Sequence, residues 1–525
     1  MASSVHKGQA RVLAAGLLAA ACALVGAPDA FAQTGPAGGT SWTVYHGSAD
    51  GSGVAGPVTT VDTRTRAWTS PALDGQIYGE PLVSAGRVYV ATENDTVYAL
   101  SPTNGAVVWS AHLGTPVPAS SLPCGDISPT VGITGTPVID PARGEIFVVA
   151  DELVHGVPAH MLVGLSAASG GTELTEDVDP PGSDPAALLQ RTGLTLDDGQ
   201  VLFGMGGNFG DCSSYRGRVG AVPEAGGTPR YFTVDSGHGE SQGAIWMGGA
   251  APVVDSSGDI WVATGNGSVY SSSHAYDDGD GVLKLSPSLA LLQYFAPSNW
   301  AANNSQDLDM STAPALLPDG QVILTGKSRI VYLLDGAHLG GIGGQQAALG
   351  SACPEDIDGG VAISGMTVYL PCRTGIVAVQ AARSPARLQL LWSSGTGGGP
   401  PVLAAGLVWT IGQDGVLYGL NPASGHVTQQ ASIGAVANHF PTPSVADGLL
   451  LAPAATDVVA FTASGTAAPS TQAATAPAPH ATSQSGSGGL PPGVIAVIVV
   501  AGLVVIGGSA WLVRRRLAAR SHSVP

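Results

Sequence analysis

Lysine is almost missing from this 525-residue chain, occurring only at Lys7, Lys284 and Lys327. Charged residues make up 11% of the sequence and the formal net charge is −18. Nucleic-acid binding needs clustered cations to neutralise phosphates, so no nucleic-acid partner is expected. The acidity is read as solubility. No CxxC or CxxCH spacing occurs, which excludes a paired-thiol redox motif and an attached haem. Long runs of helical periodicity are absent, which argues against a helical bundle. Ser241 with His238 forms no nucleophile elbow. His238 and His274 stand isolated, and Asp277-Asp278-Gly279-Asp280 lacks the Glu that ends a calcium loop.

Glycine, by contrast, is abundant at 75 residues and follows no collagen period, so it marks many turns. The two ends of the chain differ from its middle. Lys7 and Arg11 precede the apolar run Val12 to Val25, and Ala30-Phe31-Ala32 offers small residues for cleavage. Residues 1–32 are therefore read as a signal peptide. A lipoprotein reading would use Cys22, but Ala19 stands where Leu is wanted. Val494 to Val513 carries no charge, and at ~1.5 Å per residue it would span about 30 Å of hydrocarbon. Arg514, Arg515 and Arg516 follow at once, which keeps the basic tail 514–525 in the cytoplasm. The expected topology is a single-pass cell-membrane protein with its bulk outside. Residues 462–493, rich in Ala, Pro, Ser and Thr, read as a flexible stalk, because they have too little apolar surface to offset ordering entropy. That leaves 41–461 as the folded part.

Within 41–461 one short pattern recurs. Its copies end at Leu100, Leu165, Val222, Leu285, Leu334, Val379, Leu420 and Phe461. Most alternate apolar and small residues, as in Val97-Tyr98-Ala99-Leu100 and Leu417-Tyr418-Gly419-Leu420. The spacing is roughly 40 to 65 residues, which fits four-stranded propeller blades, some with insertions. Strand-like runs such as Glu145-Ile146-Phe147-Val148 precede the copies, and turn pairs such as Asn104-Gly105 separate them. The fold class is all-β, an eight-bladed β-propeller with four antiparallel strands per blade, plus one C-terminal transmembrane helix. Arg66-Ala67-Trp68-Thr69 precedes the first complete blade and lacks a counterpart after Phe461, so it is expected to complete the eighth blade.

Once Cys22 leaves with the signal, four cysteines remain in an oxidising compartment. Three pairings are possible. Cys353 and Cys372 fall within one blade and are paired. Cys124 and Cys212 are left to bridge loops of neighbouring blades. A thiol metal or redox site is the alternative, without spacing to support it.

The stretch from Val97 to Trp109 resembles the repeat of the pyrroloquinoline quinone (PQQ) family. In that family an outer-strand Trp packs between blades. Trp68, Trp109 and Trp392 match it, with Tyr231 and Tyr294 as substitutes. Trp42-Thr43-Val44-Tyr45-His46-Gly47 is similar to the N-terminal segment of quinoprotein dehydrogenases. The resemblance implies PQQ and a Ca²⁺ or lanthanide ion in the central funnel. It places Asn266 as metal and cofactor ligand, Asp307 as catalytic base, Asp309 as an extra metal ligand and Lys327 against the quinone. The region of the family's Glu ligand reads Gly207-Asn208-Phe209-Gly210-Asp211-Cys212, where Asp211 is the available carboxylate. The family's adjacent Cys-Cys pair is absent.

Two functions follow. One is a non-catalytic surface propeller binding an extracellular protein or glycan. Its funnel face would be shaped by insertions at 151–160, 172–191, 209–216 and 268–280. The other is a PQQ- and Ca²⁺- or lanthanide-dependent dehydrogenase of an alcohol or sugar.

Overall fold

The computed structural model describes residues 41–234 and 240–465. The signal segment, His238, the span 494–513, the basic tail and nearly all of the stalk lie outside the described residues. Among the described residues no helix is long and apolar enough to cross a membrane.

Eight sheets built on a four-stranded antiparallel plan follow one another along the chain, six with four strands and two with a fifth, one of which, Gly341–Ile342, pairs in parallel with Leu291–Ala296 of blade four. Blade one is Leu82–Ser84, Arg87–Thr92, Thr96–Leu100 and Val107–His112. The third strands of blades two to eight are Val157–Ser166, Arg218–Pro223, Val282–Leu285, Val331–Asp335, Gly375–Arg383, Val416–Leu420 and Asp457–Ser464. Every copy of the sequence repeat therefore lies on a third strand. Its alternation has a packing cause. Gly164, Gly220 and Gly419 sit directly opposite Phe147, Phe203 and Trp409 on the second strand, and the rings lie across the space a larger side chain would fill. Fourth strands show the alternating exposure of an outer edge, as in Val107–His112 and Val427–Ser432.

Thr60–Thr69 pairs with Asp457–Ser464 and supplies the outer strand of blade eight. Trp68 stands opposite Ala460. The ring is thus closed by the N-terminal strand, which covers the outer edge of Asp457–Ser464 that would otherwise be unpaired. The last strand runs on to Ser464, where Thr60 pairs with it, so three residues assigned to the stalk by composition belong to the sheet. Two insertions are more regular than expected. Residues 151–160 extend a long hairpin in which His160 faces Asp151, and Thr172–Asp177 is the outer strand of blade two.

Both disulfides are present as paired from sequence, Cys124–Cys212 and Cys353–Cys372. The first ties the connection between blades one and two to a loop of blade three.

The segment 42–55 runs beneath the inner strands. It hydrogen-bonds Val83 of blade one, Ile139 of blade two, Val254 of blade four, Ile363 of blade six and Leu403 of blade seven. Tyr45 and His46 are buried within it. The Tyr45 hydroxyl accepts from the Gly360 N–H at 3.2 Å, and the ring of His46 stacks on that of Tyr45. This segment covers one end of the channel.

Candidate functional site

The other end of the channel is lined by loops that join second to third strands and by loops that enter each inner strand. The turn Met247–Gly249, which precedes blade four, reaches far across it. A Cβ on Gly248 would stand 2.4 Å from the Gly359 nitrogen before blade six, and one on Gly249 would stand 3.1 Å from the Phe440 ring before blade eight. Gly248 also has a φ of 53°. Only glycine permits both the conformation and the approach. The turn gives the funnel a floor.

Asn266, Asp307, Asp309 and Lys327 converge on the wall of this funnel. Asn266 follows the second strand of blade four, Asp307 and Asp309 lie between blades four and five, and Lys327 follows Gln321–Leu324 in blade five. The Asn266 backbone N–H donates to Oδ1 of Asp309 at 2.6 Å, and its side-chain Nδ2 donates to Oδ1 of Asp307 at 3.0 Å. The Lys327 ammonium lies 2.5 Å from Oδ2 of Asp309 and 3.1 Å from Oδ1 of Asp307. Its backbone N–H also donates to the Asp309 carbonyl at 2.9 Å. Asp309 is buried, whereas the side chain of Asp307 is 65% exposed and its φ is +57°.

Burial opposes the charge of the Lys327 ammonium, but Asp309 and Asp307 outweigh it and hold its pKa above the usual lysine range. Burial raises the Asp309 carboxyl even against the neighbouring ammonium. The pair is charge-assisted and partly dehydrated, the condition in which such hydrogen bonds are strongest.

Asp211 is not brought into this hydrogen-bonded group. It accepts from the Tyr215 hydroxyl at 2.6 Å, and burial raises its pKa. Asn208, in the same stretch, donates to the Ala186 carbonyl at 2.9 Å.

Sequence did not place Asp280 at this site, its segment reading only as an incomplete calcium loop, and it did not name Arg191, Trp246, His439 or Phe440. Asp280 is fully buried, and neither of its oxygens accepts a hydrogen bond from a described residue. Burial first, and then the charge of Asp309, pushes it well above the carboxylate range. The side-chain oxygen of Asn266 is likewise buried without a partner among the described residues. Gly265 lies between Asp309 and Trp246, since a Cβ there would stand 2.6 Å from one and 3.0 Å from the other. On the floor, the Arg191 guanidinium lies 4.5 Å from the Phe440 ring centre and 5.8 Å from that of Trp246. His439 packs edge-on against Phe440. Its pKa is lowered to about 3 by burial and by the cations Arg191, Arg373 and Lys327. Arg191 and Trp246 are far apart in sequence and match no local motif, so only the fold could assemble them.

The donor set does not fit a metal as the family resemblance implies. Both Asp309 oxygens are engaged by donors of the chain itself, and Asp211 faces Tyr215. Among the described residues no group of three or more His, Cys, Asp or Glu could hold an ion. No catalytic step is therefore derived through a metal or quinone.

The outer-strand tryptophans share one geometry. The Nε1–H of Trp68, Trp109 and Trp392 donates to the carbonyls of Pro102, Ala167 and Pro422, each in the neighbouring blade. Tyr231 instead reaches back to Val178 of blade two, and Tyr294 stacks on Tyr276 of its own blade.

Residues 36–277 match the family model described as outer membrane protein assembly factor BamB. Among solved structures, a quinohemoprotein alcohol dehydrogenase from Pseudomonas putida HK5 aligns with a TM-score of 0.61 at 14% identity, over 82% of this chain and 81% of that one. One from Comamonas testosteroni gives 0.59 at 14% identity, over 82% and 81%. A europium-containing methanol dehydrogenase gives 0.58 at 14% identity, over 81% and 98%. No curated protein matches in sequence. At such identities the likeness is one of fold. Its eight closed sheets make the chain an eight-bladed β-propeller, similar in its repeats and in these alignments to propellers of the PQQ-repeat type.

Proposed function

We propose that this chain is a non-catalytic binding or scaffold module, held outside the cell membrane by its C-terminal segment, that engages an extracellular protein or glycan through the funnel face. One observation supports this over catalysis. The carboxylates of Asp307 and Asp309, which a metal-assisted proton abstraction would need free, are both paired with the Lys327 ammonium of the chain itself. A propeller without a cofactor is a rigid ring whose loops vary independently of its core, which suits recognition.

The alternative reading, a PQQ- and Ca²⁺- or lanthanide-dependent dehydrogenase, draws support from the convergence of Asn266, Asp307 and Lys327 within hydrogen-bond reach. The two readings separate in one titration. The purified chain is mixed with PQQ and Ca²⁺ or La³⁺ while quinone absorbance and binding heat are followed. The recognition module shows no binding at saturating cofactor. Stoichiometric binding that disappears in Asp307→Ala would overturn it, and a dye-linked substrate screen would then follow.

A further inference from the structure

We infer that the tip of the blade two hairpin, residues 151–160, is a proton-operated latch on the funnel rim. It holds the connection between blades one and two while the carboxyl groups beneath it are protonated, and it releases that connection when they ionise. The latch is independent of what the funnel binds.

The tip stands beyond its own sheet. The strands Glu145–Val154 and Val157–Ser166 pair with each other along their whole length. Their flanking strands reach only residues 145–147 on one side and 161–165 on the other. Past those limits the tip is anchored to the connection that leaves blade one. The Asp151 N–H donates to the Gly132 carbonyl at 3.1 Å, and the Leu153 N–H donates to the Thr115 carbonyl at 2.7 Å. Glu152 forms a β-bridge with Pro116. On the far side, the Val178 N–H donates to the His160 carbonyl at 2.9 Å. The same connection carries Cys124, whose disulfide reaches Cys212 in the loop of blade three.

Acids from two blades meet under this anchor. Glu93, Asp95, Asp151 and His160 are each at most 5% exposed. Gly132 sits among them, since a Cβ there would stand 2.7 Å from Oδ1 of Asp95 and 2.8 Å from the Glu93 carbonyl. The Gly132 N–H donates to Oε2 of Glu93 at 2.8 Å. The His160 ring lies 2.7 Å from Asp179 through Nδ1 and 3.3 Å from Asp151 through Nε2. Neither oxygen of Asp95 accepts a hydrogen bond from a described residue. The groups that face Asp95 are acids, Glu93 and Asp74 of blade one and Asp151 and Glu152 of the hairpin. Around His160 stand Asp151, Asp179 and Asp177. The nearby cations act elsewhere, Arg191 on Glu93 and His112 on Glu152.

One imidazolium cannot offset so many carboxylates in a buried site, so the closed latch requires a proton on Asp95. Burial and then the surrounding carboxylates push the pKa of Asp95 up to about 9, and burial raises Glu93 to about 8. As pH climbs through these values, desolvated charge accumulates and like charges on the hairpin and blade one repel. The tip yields first. It is tied by the few backbone bonds above, whereas Glu93 and Asp95 lie between two paired strands of a full sheet.

Hydrogen–deuterium exchange of the full chain at pH 6 and pH 9, corrected for intrinsic exchange, tests the latch. The amides of 151–160 are compared with the long hairpin of blade six, 375–394, which contains no Asp or Glu. Protection of the tip should fall at least tenfold relative to that hairpin, because each proton released on opening shifts the equilibrium about tenfold per pH unit. Asp95 has a φ of +52°, which Asn tolerates, so Asp95→Asn keeps the backbone and copies the protonated acid. That variant should retain its protection at pH 9. Equal loss in both hairpins would be general unfolding and overturns the latch, as does a tip whose protection does not change. A folded Asp95→Asn that loses protection as wild type does overturns it too. If Asp95→Asn does not fold, the wild-type comparison of the two hairpins decides.

Discussion

The indole Nε1–H of Trp68 donates to the carbonyl oxygen of Pro102 at 2.8 Å, joining the outer strand of blade eight to the turn after the third strand of blade one. The same ring lies against Gly105, where a Cβ would stand 2.5 Å from it. Trp109 meets Gly170 and Trp392 meets Gly425 in the same way. The tryptophan and the turn glycine are one packing unit, and at Trp68 that unit also closes the ring.

Trp68→Ala should therefore destabilise the propeller by about 3–5 kcal/mol, the usual cost of emptying a buried Trp site. Gly105→Ala should cost more than Gly86→Ala. Both glycines have a φ of +69°, but nothing lies within 4 Å of a Cβ at Gly86. The difference between their urea midpoints reads the ring contact alone. Equal costs would mean that Trp68 yields freely.

The two disulfides should contribute unequally. Cys124 and Cys212 are 88 residues apart, and Cys353 and Cys372 are 19 apart. Loop-closure entropy gives about 4.6 kcal/mol for the longer loop and about 3 kcal/mol for the shorter. The double alanine variant at 124 and 212 should unfold at lower denaturant than the one at 353 and 372. The reverse order would show that the blade three loop holds its place without the bridge.

Stability should fall as pH rises from about 5 to 9. Asp95, in the turn between the second and third strands of blade one, is buried with neither oxygen hydrogen-bonded by a described residue. Burial and then the carboxylates of Asp151, Glu152, Glu93 and Asp74 push it up to about 9. Burial raises Glu93 to about 8 and Asp151 to about 7. His160 reaches about 9, because Asp151 and Asp179 outweigh the burial that would lower it. All four hold their protons more tightly in the folded chain. Their stabilisation is complete below the ordinary pKa, about 4 for carboxylates and about 6.5 for His, and is lost as pH climbs to the folded value. The slope is about 1.4 kcal/mol per pH unit for each proton kept by the folded chain and released by the unfolded one. His46 and His439, lowered by burial to about 4 and about 3, act in the opposite sense below pH 6.5. Melting temperatures across this range give the slope, and Asp95→Asn should flatten it. A slope unchanged by that substitution would mean that Asp95 ionises without hindrance in the fold.

Blade number and ring closure were legible in the sequence because a blade is a local object. Its third strand carries a small residue where the second strand lays an aromatic ring across it in most blades, as Gly164 does beneath Phe147, and that pattern repeats along the chain, with blade four departing from it by setting Lys284 over Trp261. The closing strand was legible because Trp68 had no blade of its own. The cysteine pairing followed from counting blades. The substitute roles for Tyr231 and Tyr294 were not legible, since whether a ring reaches forward or back depends on the backbone of the neighbouring blade.

The candidate site divides along the same line. Asn266, Asp307, Asp309 and Lys327 could be named from short segments, because each lies on a loop whose local sequence is distinctive. What Lys327 touches could not be read. A salt bridge is decided by two side-chain positions set in different loops, and its strength by how much water the surrounding walls exclude. The floor of the funnel was equally hidden. Arg191, Trp246 and Phe440 are brought together from three separate blade connections by closure of the ring. Sequence by itself determined the repeat, the closure and the bridges, because these follow from local alternation and order along the chain. Only the tertiary structure decided which charges meet in the funnel, because that depends on distances across the ring.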